Sequence, residues 1–195
     1  MKIKGWLWTL GLAVLASPLA AETYKIDPAH SGVSFRVAHL VVSKVTGRFE
    51  KFQGSVEYVK GKTKTWKAEA AIEAASINTN VADRDKHLRS ADFLDAEKFP
   101  ELTFKSVKAV GGKGNKAKLI GDLTIRGVTQ RVTLDLEIGG TIQDPWGNQR
   151  LGATARTKIS RKDFGLTWNK ILEAGGVVVG DEIEISLEIE AIAQK

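Results

Sequence analysis

The chain of 195 residues carries 29 lysine and arginine residues against 23 acidic residues, which gives a net charge of +6, and it contains no cysteine. The absence of thiols excludes disulfide bonds, cysteine nucleophiles and thiolate metal ligands. The modest positive charge does not indicate a nucleic-acid-binding protein, although it is compatible with anionic lipid or glycan surfaces.

The N-terminus has the three-part pattern of a secretory signal peptide. Two lysines precede a mostly apolar run, and small residues follow it up to Ala20 and Ala21. Because the run is too short for a stable membrane anchor, we expect cleavage after Ala20 or Ala21. Residues 1–21 would then be the signal peptide and residues 22–195 one mature domain, exported to the periplasm and without stable membrane insertion. A retained helical anchor is the alternative.

Alternation of apolar and polar residues dominates the rest of the chain. Its strongest example is DEIEISLEIEAIA at residues 181–193, in which apolar side chains occupy every second position and glutamates most positions between them. RVTLDLEIGG at residues 131–140 repeats the pattern. A period of two predicts strands with one apolar and one polar face. Six weaker strands are predicted at residues 32–38, 49–59, 66–77, 102–110, 116–125 and 150–160.

Short turn sequences join these segments, among them VKGKTK at 59–64, GGKGNK at 111–116 and QDPWGN at 143–148. Eight strands with such turns predict an all-β antiparallel meander, which closes into a barrel or folds into a sandwich. Two stretches break the alternation. AHLVVSKV at 38–45 is read as a short helix or a turn, and NVADRDKHLRSADFL at 80–94 as one or two helical turns.

Alternation alone does not determine which face of each strand points inward. A transmembrane barrel would need aromatic girdles, whereas aromatic residues make up 7% of this chain and include only two tyrosines. The apolar faces are therefore predicted to point inward, where an eight-stranded barrel either packs its interior or holds one small ligand. Both alternatives stay open, since small alanines beside bulky side chains are compatible with either. The candidate lining residues, with Trp168 placed at a barrel end, are Phe35, Val37, Ile72, Phe104, Leu123, Leu134, Leu136, Ala153, Ala155, Trp168, Ile185, Leu187 and Ile189.

The polar residues form no catalytic signature. The three histidines, His30, His39 and His87, lack the tight spacing of a zinc motif. No G-x-S-x-G elbow surrounds a serine, and the abundant carboxylates show no feature that marks a general acid. We therefore predict neither a metal site nor an enzymatic role.

RDKHLR at residues 84–89 is the densest polar cluster. Its basic side chains could donate to a pyrophosphate, phenol or quinone oxygen, and Asp85 could orient a neighbour. His30, Arg84, Asp85 and His87 are therefore candidates for contacting the polar end of a ligand. A solvated connection whose charges pair with one another is the simpler alternative. A further alternative is a hydrolase-like enzyme acting on a lipid or glycan head group, which requires His30, Asp85 and His87 to converge at a pocket mouth.

Taken together, five segments resemble the YceI-like family of periplasmic, polyisoprenoid-binding proteins. They occur in the family's order and cover essentially the whole mature chain. The segments are YKIDPAHSGVSFRVAHL at 24–40, VTGRFEKFQGSV at 45–56, ASINTNVADRDKHLRSADFLDAEKFPELTFKS at 75–106, GDLTIRGVTQRVTLDL at 121–136 and SRKDFGLTWN at 160–169.

The resemblance implies an extended, lipocalin-like barrel of eight antiparallel strands around a long apolar tunnel. It implies a polyisoprenoid chain, such as a prenylated quinone or its precursor, as the ligand, with no cofactor and no established enzymatic activity. The chain departs from the family at Gln130 and Arg131, where Lys-Pro is common after GVT, and this affects only a strand start. A homodimer through an exposed strand edge stays open, as does an interaction module with a packed interior.

Overall fold

The computed structural model describes residues 21–173 and 175–194. The predicted signal peptide lies outside these residues, apart from Ala21 at its end. Within the described ranges, one α-helix and three 3-10 turns accompany the strands. The strands are β1 Glu22–Ile26, β2 Gly32–His39, β3 Ser43–Phe49, β4 Phe52–Val59, β5 Lys62–Glu73, β6 Ile77–Asn78, β7 Glu101–Gly111, β8 Lys116–Ile125, β9 Val128–Gln143, β10 Gln149–Ser160 and β11 Val179–Ala193. The helix is α1 Ala82–Arg89, and the turns are Pro28–His30, Ala74–Ser76 and Arg161–Phe164.

Eight strands close into an antiparallel ring. Its order is β1, β4, β5, β7, β8, β9, β10 and β11, and β1 pairs with β11 to complete it. The closing pairs include Tyr24 with Ala193 and Ile26 with Ala191. Closure leaves the ring without an unpaired edge strand. The predicted all-β fold, an eight-stranded antiparallel barrel with short helical connections, is confirmed.

Three further strands, β2, β3 and β6, lengthen one side of this barrel. β11 pairs with β1 at residues 191–193 and with β2 at residues 183–188. β2 in turn pairs with β3, and β3 with β6. β2, β3 and β6 therefore continue the lines of β1, β4 and β5 after short breaks, which makes the barrel extended.

The connection between β6 and β7 holds α1 and a series of turns. Its apolar side chains Leu88, Phe93 and Leu94 pack into the core of this barrel end. The backbone N–H of Ala74 donates to the carbonyl of Pro100 at 2.8 Å, which fixes the end of the connection beside β5. Side-chain packing, in place of strand pairing, thus completes the wall here.

The core consists of two clusters near opposite ends of the barrel. One is built around Tyr24, Trp66 and Leu151, and the other around Phe93 and Phe164. Tyr24, Leu151 and Phe164 are almost completely buried. The apolar positions of the alternating strands face inward, as the sequence predicts, and supply both clusters.

Three strands are absent from the sequence predictions as separate elements, namely β1, β3 and the two-residue β6, which the prediction at residues 66–77 merged with β5. β1 has only five residues, and its inward side chains are just Tyr24 and Ile26. In β3, SKVTGRF, a glycine interrupts the apolar face between Val45 and Phe49. Of the two readings for residues 38–45, the turn is correct, since residues 40–42 connect β2 to β3. Among the described residues, we find no helix with the length and apolar character needed to cross a membrane.

Candidate functional site

An apolar cavity of about 240 Å³ lies inside the barrel. Its wall includes members of both core clusters, so it extends between the two ends of the barrel. An apolar cavity of about 150 Å³ is already enough to admit benzene in another protein. The interior of this barrel is therefore not fully packed, and its volume suits an apolar guest.

Twelve of the thirteen candidate lining residues border this cavity. They come from six of the long strands and from β2, because alternation points every second side chain to the interior. The twelve are Phe35, Val37, Ile72, Phe104, Leu123, Leu134, Leu136, Ala153, Ala155, Ile185, Leu187 and Ile189.

Two phenylalanine rings have room to lie along the wall, because in each case a glycine lies opposite the ring on the adjacent strand. A Cβ atom built on Gly47 would lie 2.3 Å from Cζ of Phe35, the residue paired with Gly47 across β2 and β3. A Cβ atom on Gly121 would lie 2.4 Å from Cζ of Phe104. Any larger residue at either glycine would push a ring away from the wall. The two glycines thus help to keep the cavity open.

Trp168 lies at a barrel end, the place expected for it, but unlike the other twelve candidates it is not part of the cavity wall. Its ring contacts Phe93, at 5.1 Å between ring centroids, and the imidazole of His87, at 4.8 Å, and it does not border the cavity. Phe93 and two other residues of the connection, Leu88 and Leu94, border the cavity instead. These three are not among the predicted lining residues, because that stretch has no strand alternation.

Arg161 is a buried cation in the cavity wall. Its guanidinium donates to the carbonyls of Leu166, Trp168 and Gly180 at 2.6–2.9 Å and to the carboxylate of Asp181 at 3.3 Å. Burial lowers the pKa of Arg161, although the nearby Asp181 opposes this effect. These bonds hold the loop after β10 against the start of β11, which is a structural role.

The head-group candidates on α1 are engaged in local hydrogen bonds. Arg84 donates through Nε to Oγ1 of Thr79 at 2.7 Å and through Nη2 to its carbonyl at 2.8 Å. The buried Oδ1 of Asp85 accepts from the backbone N–H and the hydroxyl of the same threonine, at 2.8 and 2.5 Å. His87 contacts Asp92, with 2.8 Å between Nε2 and Oδ2.

His30 belongs to a different part of the surface, since its Nδ1 lies 2.8 Å from Oδ2 of Asp27. The three residues of the hydrolase hypothesis, His30, Asp85 and His87, therefore sit in three separate hydrogen-bond networks. They do not converge, and neither they nor Arg84 border the cavity.

A cluster of charges around Arg150 was not predicted. Arg150 donates to Asp144 at 2.7 Å, to Asp27 at 3.1 Å and to Glu190. Ligand atoms of Asp27, His30 and Glu190 lie within 4.8 Å of one another, a spacing compatible with a metal ion. However, the guanidinium already lies between the two carboxylates, so the cluster is an ion-pair network. The alternation pattern does not reveal it, because its acidic members come from three separate parts of the chain, and Asp27 lies 123 residues before Arg150.

The hydrogen bonds of this network shift the pKa values of its members. Burial alone would raise the pKa of Asp144, but bonds from Arg150, Asn148 and the backbone outweigh burial and lower it to about 2. The bond to His30 lowers the pKa of Asp27. Bonds to Asp144 and Glu190 raise the pKa of Arg150. Asp27, Asp144 and Arg150 are thus held in their charged forms at neutral pH, and His30 lies at the exposed rim of the network.

Comparisons with known proteins agree with this architecture. The model of the YceI-like domain matches residues 24–191. Protein YceI of Salmonella newport is 40% identical over 191 residues, which cover 97% of this chain and 93% of that protein. The crystal structure of BcnA from Burkholderia cenocepacia superposes with a TM-score of 0.74 and 25% identity, over 85% of this chain and 99% of that one.

A polyisoprenoid binding domain from Saccharophagus degradans, implicated in plant cell wall breakdown, has the same fold. Its TM-score is 0.67 at 16% identity, over 88% of this chain and 98% of that one. The ring of strands and its cavity define a lipocalin-like β-barrel with an apolar interior. The chain belongs to the YceI-like family.

Proposed function

We propose that this protein binds a polyisoprenoid lipid, such as a prenylated quinone or its precursor, and serves as its carrier or reservoir without catalysing a reaction. The observation that carries the proposal is the cavity wall, which is formed almost entirely by aliphatic and aromatic side chains. Membership of the YceI-like family supports the proposal. So does the shared fold of a domain described as polyisoprenoid binding.

The energetics favour recognition through the apolar chain. Burial of one methylene group contributes about 0.8 kcal/mol, so even a ten-carbon segment gains several kcal/mol before the cost of ordering it. The residues predicted to contact a head group make their hydrogen bonds within the protein. Selectivity would therefore depend on the length and shape of the chain. We place the complex in the periplasm because of the predicted signal peptide.

Native mass spectrometry of protein extracted under mild conditions tests the proposal directly. We expect a bound species of several hundred daltons or more that dissociates as an intact lipid. A protein that is consistently empty, and that does not take up a prenylated quinone from detergent micelles, would refute the proposal.

Leu187→Trp should weaken this uptake because the larger side chain occupies the cavity that Leu187 borders. Loss of room for two methylene groups corresponds to an affinity loss of about tenfold. Glu188→Trp is the matched control, since the next residue on the same strand is exposed. Titration with a prenylated quinone, together with thermal unfolding of each variant, measures both effects. Equal affinities for the two variants would argue against an interior site.

A further inference from the structure

Two loops at one end of the barrel present exposed apolar side chains side by side. The turn between β2 and β3 carries Val41 and Val42, which are 75% and 85% exposed. The hairpin before β11 carries Ile171, which is 87% exposed. Leu40 and Val177, at the base of these loops, are each 37% exposed. We call these five residues the apolar tip.

The two loops are held together as one surface. The backbone N–H of Leu40 donates to the carbonyl of Val178 at 3.0 Å, and that of Val178 donates to the carbonyl of Lys170 at 3.0 Å. A Cβ atom on Gly176 would lie 3.3 Å from Cγ2 of Val41, so the loops also touch at their ends. The apolar tip is therefore a contiguous patch. Such patches on a protein surface mark sites of interaction.

The backbone of the first loop is unfavourable for the residues that occupy it. Leu40 and Val41 have φ angles of 52° and 65°, in the left-handed region that glycine and asparagine occupy more readily. A β-branched residue in this region is a genuine outlier. Turn geometry therefore does not explain these two residues, which points to a requirement for their side chains.

The position of the apolar tip relates it to the cavity. Val37 and Val179 border the cavity, and Val179 pairs with His39 at the end of β2, next to Leu40. The apolar cavity wall thus continues along two strands to the apolar tip. The apolar tip therefore lies at the barrel end to which the cavity wall extends.

Charge around the apolar tip suits an anionic lipid surface. Lys44 and Lys170 flank the two loops, in which Glu173 is the acidic residue. Lys44 forms an ion pair with Glu184 at 2.6 Å, in which the lysine side chain is 42% exposed and the carboxylate 29%. Lys44, Lys170 and Glu173 are all exposed, so two cations and one anion lie beside the apolar residues and the local charge is positive.

We propose that the apolar tip docks on the surface of a lipid bilayer, with its aliphatic side chains among the acyl chains and its lysines at anionic head groups, so that lipid enters or leaves the cavity there. The route for the guest rests on the proposed function. The docking itself follows from the exposed side chains, the backbone conformation and the flanking charges.

Co-sedimentation with vesicles of phosphatidylethanolamine and phosphatidylglycerol tests the docking. We expect the wild-type protein to bind. The double variant Val42→Asn, Ile171→Asn should partition at least about tenfold more weakly, because two aliphatic side chains that would be buried in the bilayer are lost. Ile142→Asn is the matched control, because Ile142 is 70% exposed on β9, beside Arg150 at the other end of the barrel. Absence of wild-type binding, or equal losses in the control, would overturn the proposal.

Two further measurements separate the alternatives. Sedimentation velocity tests whether the apolar tip joins two copies of the chain; a dimer abolished by the double variant, with vesicle binding intact, would overturn docking on a bilayer. Uptake of a prenylated quinone from detergent micelles should be the same in the double variant and the wild type. Failure of the wild type in this uptake would refute the proposed function, whereas vesicle binding tests the docking independently.

Discussion

Arg150 shows how a single side chain joins distant parts of this barrel. It lies at the start of β10 and binds Asp27 after β1, Asp144 before β10 and Glu190 on β11. Its side chain is only 17% exposed, and that of Asp144 only 6%, so the ion pairs are shielded more than those on the open surface. The network reinforces the region in which β1 and β11 close the ring.

The network makes stability depend on pH in the acid range. Because the pKa of Asp144 in the folded protein is about 2, below its ordinary value of 3.8, the unfolded chain binds a proton first as the pH falls. The stabilisation is present above pH 3.8 and is lost as the pH decreases towards 2. The lowered pKa of Asp27 acts in the same direction.

Asp144→Asn should therefore reduce the change in unfolding free energy between pH 4 and pH 2, and lower stability at pH 7. Chemical denaturation at a series of pH values measures both effects. Asp122→Asn serves as a control, since Asp122 forms an exposed ion pair with Arg131, of a kind that contributes little. A wild-type pH profile in Asp144→Asn would contradict the role assigned to the network.

At the scale of elements, α1 and the turns after it form part of the barrel wall. The helix is short and polar, and it is held by side chains more than by its own propensity. Arg89 donates to the carbonyls of Ala75 and Ile77 at 2.7 and 2.9 Å, and Asp85 binds Thr79. These bonds position Phe93 and its neighbours at the cavity.

Asp85→Ala should lower the free energy of unfolding by about 2 kcal/mol, because the amide and hydroxyl of Thr79 lose a charged acceptor. The affinity for a prenylated quinone should remain close to that of the wild type, since Asp85 does not border the cavity. Asp83→Ala, on the exposed side of the same helix, is the control. It should lower the free energy of unfolding by only about 0.5 kcal/mol, less than Asp85→Ala. Lost affinity with unchanged stability would instead assign Asp85 a role in binding.

At the scale of the molecule, the closed ring and the open interior have opposite effects on stability. Strand pairing around the eight-stranded ring gives the backbone groups of its strands hydrogen-bond partners. The cavity, in contrast, leaves inward side chains without packing partners, which lowers stability relative to a filled core. An apolar guest that fills the cavity should recover part of this loss.

A bound lipid should therefore stabilise the fold by an amount that rises with the logarithm of its concentration above the dissociation constant. At about 100 times the dissociation constant, the gain is about 2.7 kcal/mol. Thermal unfolding with a prenylated quinone should show a rising melting temperature, whereas the same quinone head group without its prenyl chain should have no effect. A head group that stabilises the protein as strongly as the full lipid would contradict recognition through the chain.

The period-two pattern is a local property, and the sequence therefore determines which faces of the long strands are apolar. Residues such as Leu136 and Ile185 border the cavity as the alternation predicts. The turn residues likewise mark most strand ends. Where a strand is short or carries a glycine, as in β1 and β3, this local signal is too weak to identify it.

Only the tertiary structure decides which distant residues meet. Strand register brings Arg150 to Asp27 and Glu190, and packing places Trp168 on His87, away from the cavity. The exposed apolar tip likewise joins residues 40–42 with a hairpin more than 100 residues later. Ring closure depends on the pairing of the first and last strands, which no local pattern encodes. The sequence also did not determine whether the interior is open, because the same inward side chains could pack a core or line a cavity. The distance between opposite walls of the barrel decides between the two.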